Sequence, residues 1–299
     1  MKKALIVGGF GVDLNVALYE GAWPLSEGDG TFAQVGELSL GHAGSGVALQ
    51  CAALGLYVAA ADVLGDDDFG WVVRKELARR GVRLEAVTHE SGTRRSVVLV
   101  RPDGGRFFLH DPRHPYDMTV GPMLWLPGME DADWVHIVIV NWARHALRDA
   151  RERGILTSTD LQDWDTQNEH HREFAYGADV VFCSATALPD ADVFATDVFT
   201  NGIARLVIVT KGADGAVAYQ RDAEPIYLPA LLPPGRTIVD TTGAGDAFCG
   251  AFMSGLVRGQ SIPQAGRRAA LAAAYAASFT GTNSHLITVE ELDQVDAKV

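Results

Sequence analysis

Short apolar runs alternate with helix-length stretches along most of the chain. Segments 4–9 (ALIVGG), 134–140 (WVHIVIV), 179–183 (DVVFC) and 205–210 (RLVIVT) are rich in Val and Ile and lack strict apolar–polar alternation. That pattern predicts strands buried on both faces. Helix-like stretches fall at 45–54, 68–80, 143–153, 168–176 and 190–201. Near the end, Ser261-Ile-Pro-Gln264 and Thr288-Val-Glu-Glu291 set a hydroxyl three residues before an amide or acid. This is the capping-box spacing, in which the two side chains satisfy orphan N–H groups reciprocally. Repeated β-α-β spacing predicts an α/β fold: a mostly parallel sheet between helical layers.

Two segments break that rhythm. Residues 14–40 and 92–118 read as short alternating strands with glycine turns. RRSVVLVRPDGGRFFLHDP predicts a hairpin with Pro102-Asp103-Gly104-Gly105 at its turn. The two segments are expected to pair as a small β lid over the crevice at the strand C-termini, where open α/β sheets bind ligands. No internal repeat or linker-like composition divides the chain, so residues 1–299 are expected to form one domain with that lid.

Charge narrows the partners. Lys and Arg total 25 against 38 Asp and Glu, a net charge of −13. So acidic a chain lacks the basic face that nucleic acid requires. Any polyanionic ligand must be held by backbone dipoles and a few basic residues. No apolar run is long enough for a membrane span, and MKKALIVGGFGV reads as a first buried strand rather than a signal peptide. Cys51, Cys183 and Cys249 are far apart and without metal-ligand spacing, which suits buried reduced thiols in a cytoplasmic protein.

The stretch VDTTGAGDAFCGAF, Val239 to Phe252, carries the most chemistry. Gly243 and Gly245 let a ligand approach the backbone closely. From Ala244 onward the residues are small and apolar, as in a buried helix. The free N–H groups of its first turn would make an anion site, reinforced by the helix dipole. Asp246 lies in that turn and is placed to accept a proton from a substrate hydroxyl. Phosphoryl transfer needs little more than positioning, charge stabilisation and one such base.

DTTGAGDAFCGAF (240–252) resembles the C-terminal signature of the ribokinase-like, or PfkB, carbohydrate kinases. GHAGSGVALQCAALG (41–55) resembles their N-terminal signature. LGDDDFGWVVRKELARRGV (64–82) resembles a Gly-Asp-Asp-x-x-Gly helix, and VIVTKGADGAVAY (207–219) a nucleotide-site strand and turn. The resemblance implies a three-layer α/β/α sandwich with a β lid that often mediates homodimers. It also implies ATP- and Mg²⁺-dependent phosphorylation of a hydroxymethyl group on a small sugar, sugar acid or polyol. Asp246 then matches the catalytic base, and Gly243, Ala244 and Gly245 the anion hole. Asp13 matches a carboxylate that holds sugar hydroxyls. Thr210 and Gly212 match residues along the ATP phosphates and ribose; Lys211 between them either faces phosphate or is simply solvated. Asp240 and Thr242 match positions that bind K⁺ or another monovalent cation in many members.

Two departures bear on the substrate and the metal. The family's Gly-Gly, three residues and Asn become Gly41-His42, Ala43-Gly44-Ser45 and Gly46. The sugar-orienting amide is missing at Gly46, and His42 either replaces the contact or is a packed histidine. The family's Asn-x-x-Glu becomes Ser184 and Ala187, neither of which can do a carboxylate's work, so Mg²⁺ would arrive as Mg-ATP. A nucleoside kinase of the same fold and a non-catalytic ligand-binding relative stay open as alternatives. Asn141 and Asp160 are read as strand-end residues on the ligand side. His110, Asp111 and Arg113 could close over the substrate from the lid. Glu169, His170 and His171 read as a solvated helix face.

Overall fold

The computed structural model describes residues 1–25, 28, 30–103, 105–281 and 283–299. Gly104 of the expected hairpin turn lies outside the described residues, as do Ser26, Glu27 and Asp29 of the first lid segment.

Among the described residues, nine strands make the main sheet. They are β1 (Lys3–Val7), β4 (Tyr57–Leu64), β5 (Arg83–Thr88), β8 (Trp134–Ile137), β9 (Leu156–Asp160), β10 (Val180–Ser184), β11 (Leu206–Thr210), β12 (Ala216–Gln220) and β13 (Ile226–Leu228). Their order is β13-β12-β11-β10-β9-β8-β1-β4-β5. All neighbours are parallel except at β12, which is antiparallel to both β11 and β13. A smaller sheet, ordered β3-β2-β6-β7, contains β2 (Gly11–Leu18), β3 (Ala33–Gly41), β6 (Arg95–Val100) and β7 (Arg106–Asp111). It forms the lid.

The continuous apolar runs exist because each main strand is covered on both sides. In β1, Ala4 and Ile6 join one core while Leu5 and Val7 join the other; in β11, Leu206 and Ile208 divide from Val207 and Val209 in the same way. One core packs α1 (Ala43–Ala53), α2 (Asp68–Arg79), α7 (Ala244–Val257), α8 (Ile262–Ala276) and α9 (Val289–Asp296). The other packs α3 (Leu126–Met129), α4 (Arg144–Glu152), α5 (Glu169–Gly177) and α6 (Ala191–Asn201). Each large side chain fully buried in these layers contributes roughly 1.5–3 kcal/mol. Both capping boxes form, at Ser261–Gln264 and Thr288–Glu291.

Several boundaries shift for local reasons. The first strand ends at Val7 because Gly8 and Gly9 turn away with φ of +83° and +80°. A side chain at Gly8 would strike Val140, and one at Gly9 would strike the Gly44 backbone and Val138. Strand β8 stops at Ile137, three residues short of its apolar run. The lid begins at Gly11, so Asp13 lies inside a lid strand rather than at the exit of the first strand. The three cysteines are free and buried. Among the described residues, no helix is long and apolar enough to cross a membrane.

Candidate active site

Two helix N-termini converge at the lid. Helices α1 and α7 approach closely because their contact is built of small residues; a Cβ at Gly250 would lie 3.1 Å from both the Val47 carbonyl oxygen and Gln50 Cβ. Cys51 Sγ donates to the Gly250 carbonyl at 3.6 Å. One turn before the ends of this contact, Gly46 meets Asp246: an added Cβ would stand 2.5 Å from Asp246 Cβ and Oδ2. Gly41 similarly leaves room for the Asp13 carboxyl. The glycine that looked like a lost asparagine therefore occupies a place where no side chain fits beside Asp246.

Asp246 sits in the first turn of α7, after Gly243 in the left-handed region at φ +78°. The N–H groups of Gly245 and Asp246 have no carbonyl four residues back within the helix to receive them, and the space beside Gly245 is open. Burial holds the Asp246 carboxyl well above the usual carboxylate range, and the charges of Asp160 and Asp13 push the same way. Asp160 ends β9; burial raises it to about 6, although it accepts the Gln162 N–H at 2.9 Å. Three carboxylates from three elements thus face one crevice, and the one in the helix turn is driven further toward keeping a proton than Asp160.

His42 is the N-terminal cap residue of α1 and has φ +67°, a region a non-glycine residue occupies only under constraint. Its Nε2 stands 3.9 Å from Asp13 Oδ1 and finds no hydrogen-bond partner among the described residues. Burial lowers its pKa to about 3, aided by Arg94 and His110, so the ring is neutral at ordinary pH.

Strand pairing determines what the lid adds. Asp13, Ser39, Ser96 and His110 stand opposite one another across the four strands, and therefore on one face. Ser96 Oγ meets His110 Nδ1 at 2.9 Å, and the His110 ring lies 6.4 Å from that of His42. On the same face of β7, two and four residues from His110, are Phe108 and Arg106. Phe108 stacks on His110 with centroids 5.4 Å apart. Arg106 donates to Thr242 Oγ1 and Thr241 Oγ1, each at 2.6 Å.

On the other flank, Thr210 ends β11 and pairs with Ser184 of β10. Lys211 follows exposed, and Gly212 turns with φ +57° into open space. With Gly243–Gly245, this leaves an open, backbone-lined approach suited to a nucleotide polyphosphate. No cluster of three or more His, Cys, Asp or Glu able to hold a metal exists among the described residues. A divalent ion would be held chiefly by phosphate oxygens.

Comparison with known proteins agrees with this geometry. Residues 146–288 match the model of the pfkB family carbohydrate kinases. The acarbose 7(IV)-phosphotransferase of Actinoplanes sp. is 35% identical over 284 residues, covering 95% of this chain and 94% of its own. This chain belongs to the PfkB family of carbohydrate kinases. The structure of a microbiome-derived acarbose kinase is 42% identical, with 99% of each chain covered and a TM-score of 0.94. Arabidopsis thaliana ribokinase, solved with ribose and ATP, is 20% identical, with 99% of each chain covered and a TM-score of 0.81, and shares the ribokinase-like fold.

Some expected site residues of this kinase are engaged elsewhere. Asn141 lies beyond the end of β8 in a short turn, where its side chain donates to the Tyr116 carbonyl and accepts from Arg144 at 2.7 Å. Asp111 and Arg113 bind each other at 3.4 Å, and Arg113 donates to the Ser91 carbonyl; they brace the end of β7. His170 and His171 are not a solvated face. His170 Nε2 meets the Ile139 carbonyl at 2.8 Å, and His171 stacks on Trp164. Their rings lie nearly perpendicular, at 83°.

The sequence reading missed Asp62, Arg94 and Arg106. Asp62 is fully buried in β4, accepts the Phe10 and Val63 N–H groups, and faces Arg94 at 3.5 Å. Counting back from His110 by two along β7 was the available signal for Arg106.

Proposed function

We propose that this kinase phosphorylates a primary hydroxyl of acarbose or an acarbose-like glycoside, with Asp246 as the base. ATP supplies the phosphoryl group. Asp246 takes the acceptor's proton as the acceptor oxygen bonds to the γ-phosphorus; the bridge to the β-phosphate breaks and ADP leaves. A raised pKa makes the ionised carboxylate a stronger base toward the acceptor's hydroxyl proton. The N–H groups of Gly243, Gly245 and Asp246 would stabilise the phosphoryl charge, whereas the Ala244 N–H, expected to share that role, donates to the Thr241 carbonyl at 3.2 Å. Thr210, Lys211 and Gly212 would line the nucleotide. Asp13 and His42 would orient the acceptor, with Gly41 and Gly46 giving the carboxylates room. The lid would exclude water, the competing acceptor.

The observation that carries this reading is the Asp246 carboxyl held between Gly46 and the open first turn of α7. Support for the acceptor comes from the two acarbose-acting relatives at 35% and 42% identity. The test is ADP release from Mg-ATP across acarbose, fructoselysine, fructose, ribose and nucleosides. Acarbose is expected to give the highest kcat/KM; a higher value for a nucleoside or free monosaccharide would overturn the acceptor assignment.

The same reading includes a homodimer through the lid. Leu14, Leu38, Val97 and Leu109 form one row on the lid face opposite Asp13, and the three leucines are 39–52% exposed. An apolar row of this kind is suited to burial against a second copy.

A further inference from the structure

Thr241, Thr242 and Asp240 lead directly into the glycine turn that would receive phosphate, and a lid residue is fastened to them. Arg106 Nη1 donates to Thr242 Oγ1 and Nη2 to Thr241 Oγ1, both at 2.6 Å; Nη1 also stands 3.8 Å from Asp240 Oδ1. Thr242 passes the polarisation on, because its hydroxyl donates to Asp240 Oδ1 at 2.7 Å. Asp240 Oδ1 also accepts the Thr242 N–H at 2.9 Å, and Oδ2 accepts the Gly281 N–H at 3.0 Å.

That arrangement does not suit a monovalent cation on Asp240 and Thr242. Both carboxylate oxygens already face N–H or O–H donors, and the threonine hydroxyl uses its proton toward Asp240 and a lone pair toward Arg106. An added ion would sit beside a guanidinium that is always charged and is held in a rigid two-pronged geometry. Like charges a few ångströms apart in a partly buried place repel strongly.

We propose that Arg106 is the fixed cation of this loop: a positioning residue that replaces a monovalent ion and makes the kinase independent of K⁺. The inference rests on reading the α7 turn as the phosphate site. Because Arg106 rides on β7, at the edge of the lid, it also has a mechanical consequence. Were the lid to lift, Arg106 would leave the loop with it, so closure would complete the anion site as water is excluded. In a chain with a net charge of −13, a cation carried to this place by the lid would make phosphate binding depend on closure.

Two readouts test the proposal in KCl against tetramethylammonium chloride at equal ionic strength. The first is thermal melting of the protein without nucleotide, which stays decisive even if every acceptor fails and the kinase reading with it. The second is ADP release from Mg-ATP with acarbose. The wild type is expected to melt at the same temperature and turn over at the same rate in both salts. Arg106→Ala is expected to lose about tenfold or more in rate in tetramethylammonium, the scale of a charge-assisted hydrogen-bonded pair, and to recover part of it in KCl. It should also acquire a K⁺-specific rise in melting temperature. Arg106→Gln, which keeps a donor but no charge, should behave like Arg106→Ala and serves if the alanine variant folds poorly. A wild type that is stabilised or activated specifically by K⁺ would overturn the proposal. So would Arg106 variants whose rate and melting are indifferent to K⁺.

Discussion

A methyl group at residue 46 would sit 2.5 Å from Asp246 Cβ and Oδ2, well inside the roughly 3.5–4.0 Å at which carbon atoms make favourable contact. Gly46 lies within α1, where alanine is the better helix former, so Gly46→Ala should keep the fold and displace the carboxyl. A misplacement of that size is expected to lower kcat by about 10²-fold. Steady-state kinetics beside a circular-dichroism melt would check it, and a fully active, folded variant would show that Asp246 has slack. Asp160 supplies a pH test. Its folded pKa of about 6 exceeds its ordinary 3.8, so between those values the folded chain holds a proton that the unfolded chain releases. Its contribution to stability is full below 3.8 and is lost as pH rises to about 6. Asp160→Asn should gain melting temperature relative to the wild type across that window; a constant difference would contradict the account. Residue roles were only partly legible in the sequence. Gly46 read as a missing amide because a sequence shows which side chain is absent, not which neighbour has taken its space. Asn141 read as a ligand because its bond to the Tyr116 carbonyl depends on how a distant loop is routed.

Among the elements, the two-sided burial of β1, β10 and β11 was readable as unbroken Val and Ile runs, and the α8 and α9 starts as hydroxyl–acid or hydroxyl–amide spacings. Strand β4 was not. Its sequence, YVAAADVL, carries three alanines and an aspartate, a composition that favours neither period. That aspartate, Asp62, ties the main sheet to the lid through Arg94, the residue before β6, and Arg94 also meets His114 Nδ1 at 3.1 Å. Burial raises the Asp62 pKa against the opposing pull of Arg94. Arg94→Ala would leave a fully buried carboxylate without its counter-charge, which is expected to cost about 3–5 kcal/mol. Urea unfolding measures the loss, and amide exchange should quicken in β6 and β7 before the main sheet. Exchange that rises equally everywhere would argue against Arg94 as the lid's anchor.

For the whole molecule, one lid face carries Asp13, Ser39, Ser96 and His110 and the other the apolar row of Leu14, Leu38, Val97 and Leu109. The alternation in segments 92–118 foretold two faces but not which would meet a second copy. Leu109→Lys puts a charge at the β7 end of the apolar row, opposite Val97. Sedimentation should find a dimer for the wild type and a monomer for the variant; a wild type that is monomeric at all accessible concentrations would remove the dimer from the account. The central claim concerns Asp246, where the sequence motif, the fit with Gly46 and the first turn of α7 meet. Its most direct test is ADP release from Mg-ATP with acarbose for the wild type and Asp246→Asn, which keeps the shape but cannot take the proton. The wild type is expected to turn over and the variant to lose about 10²–10⁴-fold in kcat while still melting cooperatively. An Asp246→Asn protein that phosphorylates acarbose at the wild-type rate would contradict the mechanism.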